Sequence, residues 1–155
     1  MSELKLSLMR AAGLLCALVV FSGCGGDSTE FVYSSESYFP EDYQSRYQEL
    51  AGFECQQSPT HGNDYVRILV SDEALPAYDG MEIPDGAVIT KPQYADAGCT
   101  ELTAITVMQK DSSAASGWQW QRVGASGEVE SSGQVEGCVG CHTAMCGGNQ
   151  CAEKE

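Results

Sequence analysis

Leu102-Thr103-Ala104-Ile105-Thr106-Val107-Met108-Gln109-Lys110 is the stretch on which the fold turns. It alternates with β-branched residues and predicts the clearest strand of the chain. Downstream, residues 118–123 read as another strand with Trp118 and Trp120 on one side, followed by a turn at residues 124–127. Upstream, Ala87-Val88-Ile89-Thr90-Lys91 reads as a strand entered from the turn Pro84-Asp85-Gly86 and stopped by Pro92. Tyr65-Val66-Arg67-Ile68-Leu69-Val70 is a further short strand. Strands succeed one another after position 86 through short connections, so antiparallel pairing is the economical topology. Two helices precede most of them. One opens at Phe39-Pro40-Glu41-Asp42, with proline and acids suited to a first turn and Tyr43, Tyr47 and Leu50 spaced along one face. The other runs from a cap at Ser71 through Ala77 to the turn Asp79-Gly80. The fold class is therefore α+β: a mainly antiparallel sheet, helices packed on one face, and a C-terminal segment carrying Cys-x-x-Cys-His.

The first 23 residues read as an export signal. Lys5 and Arg10 precede the apolar run from Ala11 to Phe21, and Ser22-Gly23 supplies small residues. That run is too short for a permanent span. Phe21-Ser22-Gly23-Cys24 resembles a lipoprotein signal, with Phe21 where leucine is usual and Cys24 as the lipidated residue. Secretion without a lipid fits the same leader. Residues 24–38, rich in Gly, Ser, Asp and Glu, form a flexible tether, leaving residues 39–155 as one domain. Export places the protein in the periplasm, anchored to the membrane through the lipid alone. Loss of Lys5, Arg10 and Glu3 takes the net charge from −14 to −15. So acidic a surface repels phosphate backbones and anionic headgroups, which argues against nucleic acid as a partner. It suits solubility, or steering of a basic redox partner.

Eight cysteines sort by this reading. Cys16 leaves with the signal and Cys24 takes the lipid. Cys138-Val139-Gly140-Cys141-His142 supplies two thiols for the vinyl groups of a haem and an imidazole for its iron, which predicts one covalent haem c with His142 as axial ligand. Such a match is expected by chance roughly 0.005 times in a chain of this composition. Cys55, Cys99, Cys146 and Cys151 remain for two disulfides in any of three pairings. Two other readings of the motif are weaker. A thioredoxin-like pair needs a preceding strand. Cys138-x2-Cys141-x4-Cys146-x4-Cys151 has zinc-knuckle spacing, but knuckles bind nucleic acid in reducing compartments.

The sixth iron position has several candidates. His61 lies in Pro59-Thr60-His61-Gly62-Asn63, a loop by composition, and reads as a solvated side chain. Met81, Met108 and Met145 are the others, Met108 reading as core. A filled position suits electron transfer, and an open one suits ligand binding.

From Phe39 to His142, about two-thirds of the precursor, the chain resembles the cytochrome P-460 family, which includes the cytochromes c′-beta. The resemblance lies in Phe39-Pro40-Glu41-Asp42-Tyr43, Val66-Arg67-Ile68-Leu69-Val70 with residues 74–78, Pro84 to Lys91, Glu101 to Met108, Gly117-Trp118 and the haem motif. It implies a β-rich fold, a homodimer, His142 as proximal ligand and an open distal side. It also implies a lysine bonded to the haem ring in hydroxylamine-oxidising members, at the position of Lys91. Those members carry a distal carboxylate where this chain has Thr106, whose hydroxyl is no base near neutral pH; Asp111 or Glu101 would have to replace it. Relatives continue past the motif with apolar residues, whereas here Cys146 to Cys151 invites a bridge to Cys55 or Cys99. The function implied is binding, with oxidation, of hydroxylamine or nitric oxide and release of electrons to a soluble acceptor. A non-catalytic nitric oxide binder and a simple mono-haem electron carrier are the alternatives.

Overall fold

The computed structural model describes residues 36–146. The leader, most of the tether, Cys24 and Cys151 lie outside the described residues. In chain order the elements are α1 (Tyr43–Arg46), β1 (Gln48–Glu49), β2 (Gln56–Gln57), β3 (Tyr65–Val66), β4 (Leu69–Val70), β5 (Val88–Tyr94), β6 (Leu102–Lys110), β7 (Trp118–Gly124), β8 (Val129–Gly133) and α2 (Glu136–Cys146). Single 3-10 turns occupy Pro59–His61 and Leu75–Asp79. The strands form one antiparallel sheet in the order β1-β4-β5-β6-β7-β8, with β2 on β3 and β3 beside β4 on β5. The mainly antiparallel α+β architecture is as the sequence predicts. No helix among the described residues is long and apolar enough to cross a membrane.

Pro92 sits inside β5 instead of stopping it. The Arg67 N–H donates to the Pro92 carbonyl at 3.2 Å. In an antiparallel ladder a residue's nitrogen and carbonyl point to the same neighbour, so the missing donor faces Arg67 and spares β6. Pairing with β6 runs straight through Pro92 and Ile105. On the other side β3 and β4 keep one register against β5, and the chain between them breaks only at Arg67 and Ile68. The predicted strand over residues 65–70 is thus two short ones.

Both predicted helices shrink, because sheet pairing takes their residues. Tyr47 turns extended so that Gln48 and Glu49 can pair with Val70 and Leu69, leaving α1 a single turn. Tyr43 and Leu50 consequently enter different cores. The Ser71 hydroxyl caps nothing; it accepts the Val88 N–H at 3.1 Å. Nor do the two helical pieces share a face. Tyr43 packs with Phe39, Leu69, Val88, Ile105 and Val107 on one side of the sheet. Tyr78 packs with Ile68, Ile89, Met108, Trp118 and Trp120 on the other. Val135, Cys138 and Val139 lay α2 onto that second side. The first side is closed by the chain before α1, which Gln121 holds by donating to the Glu36 carbonyl at 2.8 Å and accepting from the Tyr38 N–H at 3.0 Å. β8 goes unannounced in sequence: its burial alternates between half-buried and exposed, and Glu, Ser and Gly carry no apolar period. A strand therefore does precede the helix bearing Cys138, contrary to the sequence reading.

Cys55 and Cys99, 44 residues apart, are bonded to each other with Cα atoms 5.8 Å apart. This overturns a bridge from the tail to either of them. Cys146 is disulfide-bonded as well. Closing so long a loop restricts the unfolded chain by about 4 kcal/mol on chain-entropy grounds. Cys55→Ser with Cys99→Ser is therefore expected to lower the unfolding free energy by roughly 2–4 kcal/mol, read by urea denaturation. A change below about 0.5 kcal/mol would mean the bridge contributes nothing to the folded state.

Candidate functional site

Helical geometry brings Cys138, Cys141 and His142 onto one face of α2, since residues three and four apart are neighbours there. Both thiols are free. Burial pushes the Cys138 thiol up, partly opposed by the nearby Arg122 guanidinium. The His142 ring meets the Trp120 ring edge-on, with centroids 4.5 Å apart. Trp120, a buried member of the core on that side, thus also orients an imidazole.

The sheet supplies the facing wall through its period of two. Ile89, Met108 and Trp120 stand opposite one another on β5, β6 and β7, and the adjacent row is Lys91, Thr106 and Arg122. An apolar row and a polar row therefore lie side by side under α2. Between helix and sheet is a cavity of about 360 Å³, to which Cys138, Cys141, His142, Lys91 and Thr106 all contribute. Its size falls within the range of cofactor pockets, roughly 300–1,000 Å³.

Burial pushes the Lys91 ammonium down, against a smaller opposing effect of Cys141. A desolvated amine is easier to hold neutral, the form that can act as a nucleophile. The Thr106 hydroxyl is engaged locally, donating to the Lys91 carbonyl at 3.4 Å and accepting from Gln93 Nε2 at 3.5 Å. None of the described residues lining the cavity is acidic. Asp111 is tied to Ser113 and Gln119 at the β6–β7 turn, and Glu101 is exposed at the start of β6. Neither replaces the missing carboxylate.

Two side chains enter the site against expectation. His61 lines the cavity instead of standing in solvent. Burial, then the charges of Lys91 and His142, push its imidazole down to about 4. Tyr78 lines it too, with a buried hydroxyl that has no hydrogen-bond partner among the described residues and a pKa pushed up by burial to about 12. In sequence His61 stands only as one candidate for the sixth iron position in a loop that reads as solvated, and no signal marks Tyr78. Of the methionines, Met108 is buried in the wall, Met145 reaches the cavity from an exposed position, and Met81 is exposed elsewhere.

The donor set fits a haem: two free thiols one helical turn apart, an imidazole beside the second, apolar walls, and an enclosed hydroxyl lacking a partner. It does not fit a zinc knuckle, because the Cys146 sulfur is committed to a disulfide. The family model described as Cytochrome P460 matches residues 40–149. The chain belongs to the cytochrome P460 family, and its cofactor is accordingly haem. No curated protein matches the chain.

An unpartnered buried hydroxyl is a cost that phenylalanine avoids. Tyr78→Phe in the haem-free chain is expected to leave the unfolding free energy unchanged or to raise it by up to about 1 kcal/mol, measured by urea denaturation. A loss of about 2 kcal/mol or more would reveal a partner for the hydroxyl within the protein itself.

Proposed function

We propose that this chain is an exported, lipid-anchored mono-haem cytochrome of the P460 type that binds hydroxylamine or nitric oxide, oxidises bound hydroxylamine and passes its electrons to a soluble acceptor. The observation that carries the reading is the convergence of Cys138, Cys141 and His142 with Lys91 around one cavity. The haem would supply an iron that binds the nitrogen ligand and takes up its electrons. Cys138 and Cys141 would hold the haem through thioethers formed by addition of each S–H to a vinyl group, without net oxidation. His142 would supply an imidazole ligand to the iron, its ring orientation set by Trp120. Lys91 reaches the same space from β5 as a largely desolvated amine. It is the residue that would be available for a bond to the haem ring, an oxidative step in which two electrons and two protons would have to pass to an external oxidant. Apolar side chains of the Ile89–Met108–Trp120 row would exclude water from the bound haem.

A second reading, nitric oxide binding without turnover, is favoured by one observation: no acidic side chain among the described residues faces the cavity to relay protons. The two readings differ in the spectrum of the ferrous protein. Intact mass should show one covalent haem, lost in Cys138→Ala with Cys141→Ala. A strongly red-shifted ferrous Soret band that Lys91→Ala abolishes supports the cross-linked, oxidising protein. An ordinary five-coordinate ferrous spectrum, unchanged in Lys91→Ala, supports the binder. A six-coordinate low-spin haem in both oxidation states would overturn both in favour of electron transfer.

The export signal supports an anchor at Cys24. Cys24→Ala is expected to move the haem protein from the membrane fraction to the soluble periplasmic fraction. Retention in the membrane fraction would exclude the lipid as the anchor.

A further inference from the structure

His61 is held more firmly than a surface loop requires. Its Nδ1 lies 2.9 Å from Ser58 Oγ and 3.1 Å from Thr60 Oγ1, so that nitrogen is committed. The loop around it is fastened at both ends by distant parts of the chain. Cys55, just before β2, is bonded to Cys99 in the β5–β6 connection. Asp64, three residues after the histidine, accepts the Thr103 hydroxyl of β6 at 3.0 Å and, through its carbonyl, the Ser58 N–H at 2.8 Å. A ring fixed at Nδ1 on a fastened loop, and lining the cavity, has only Nε2 left for whatever the cavity contains.

We propose that His61 hydrogen-bonds the small ligand bound in the cavity through Nε2, with Ser58 and Thr60 as the positioning residues that hold its ring. The inference rests on the haem reading above, in which Cys138, Cys141, His142 and Lys91 are taken up by the cofactor. Of the remaining polar groups, Thr106 is engaged with Lys91 and Gln93, and Thr60 with His61 itself; the unpartnered Tyr78 hydroxyl also lines the cavity, but only His61 is fixed there by a pair of hydroxyls on a fastened loop. A hydroxyl can donate to Nδ1 or accept from it, so the Ser58–Thr60 pair supports either tautomer without moving the ring. Nε2 can then present an N–H to an accepting ligand such as nitric oxide, or a lone pair to a donating one such as hydroxylamine. The ligand class is a small, uncharged nitrogen–oxygen molecule able to hydrogen-bond.

The test uses the haem-loaded protein with carbon monoxide as the probe, because its C–O stretch falls when a donor approaches the bound oxygen. Intact mass and the ferric spectrum are recorded first; absence of covalent haem in the wild type would overturn the haem reading, and this inference with it, before any ligand is added. With haem present, His61→Ala is expected to raise the C–O stretch and to speed carbon monoxide dissociation roughly five- to tenfold, the loss of about one hydrogen bond. His61→Gln keeps a donor and should recover most of both effects. Ser58→Ala with Thr60→Val should broaden the C–O band while leaving haem content intact. An unchanged stretch and off-rate in His61→Ala would overturn the proposal. So would a six-coordinate ferric wild type that becomes five-coordinate in His61→Ala, since His61 would then be an iron ligand.

Discussion

The register of β5 against β6 is the constraint on which the site depends. Because side chains alternate across a sheet, Thr90 is enclosed on the Phe39–Tyr43 side while Lys91 reaches the α2 side. A slip of one residue would exchange them, burying an ammonium in an apolar core and emptying the cavity of its amine. Several features resist that slip. The Thr90 hydroxyl donates to the Leu69 carbonyl at 3.1 Å, which only an inward Thr90 can do. Ile89, Met108 and Trp120 fill one face in step. Pro92 contributes as well, since its one missing donor is tolerable only opposite Arg67, on the side away from β6.

What could be read from sequence follows from where the information lies. The haem motif needs only helical spacing, and residues 102–110 only alternation, so both are local and legible. Pro92 misled because its effect depends on which neighbour its nitrogen faces, a fact decided by β3 and β6. The helices at residues 40–50 and 71–77 were overestimated for a related reason. Their propensities are real, but Gln48–Glu49 and Ser71 gain more by pairing with β4 and β5. His61 was illegible because Pro, Thr, Gly and Asn around it describe a solvated turn. The contacts that bring it inward come from Cys99 and Thr103, about forty residues away.

The distribution of charge separates the two jobs of the surface and the cavity. The chain carries 22 acidic and only 8 basic side chains, yet none of the described lining residues is acidic. Acids on the exterior would favour the approach of a basic protein over an acidic one. Inside, Lys91, His61 and His142 share one space, and each positive charge disfavours the next. That crowding, added to burial, pushes His61 down, whereas Lys91 is pushed down by burial alone.

A domain this small loses core volume by keeping a cavity, and the loss has to be offset elsewhere. The stretch between β1 and β3 shows how. Residues 51–64 are mostly exposed and bury no residue fully, so hydrophobic packing, which here comes mainly from Phe53, does little to hold them. The Cys55–Cys99 bridge, the β2–β3 pairing and the Asp64–Thr103 hydrogen bond do so instead. All three lead into the β5–β6 hairpin directly or through β3, the same hairpin that carries Lys91 and Thr106. The loop bearing His61 and the strands bearing Lys91 therefore form one mechanical unit, while His142 arrives separately on α2. The packing of α2 on the sheet, through Cys138, Val139 and the Trp120–His142 contact, relates the two halves. Covalent attachment of the haem at Cys138 and Cys141 and a bond to Lys91 would tie that junction together, making the cofactor a structural part of the domain as well as its reactive centre.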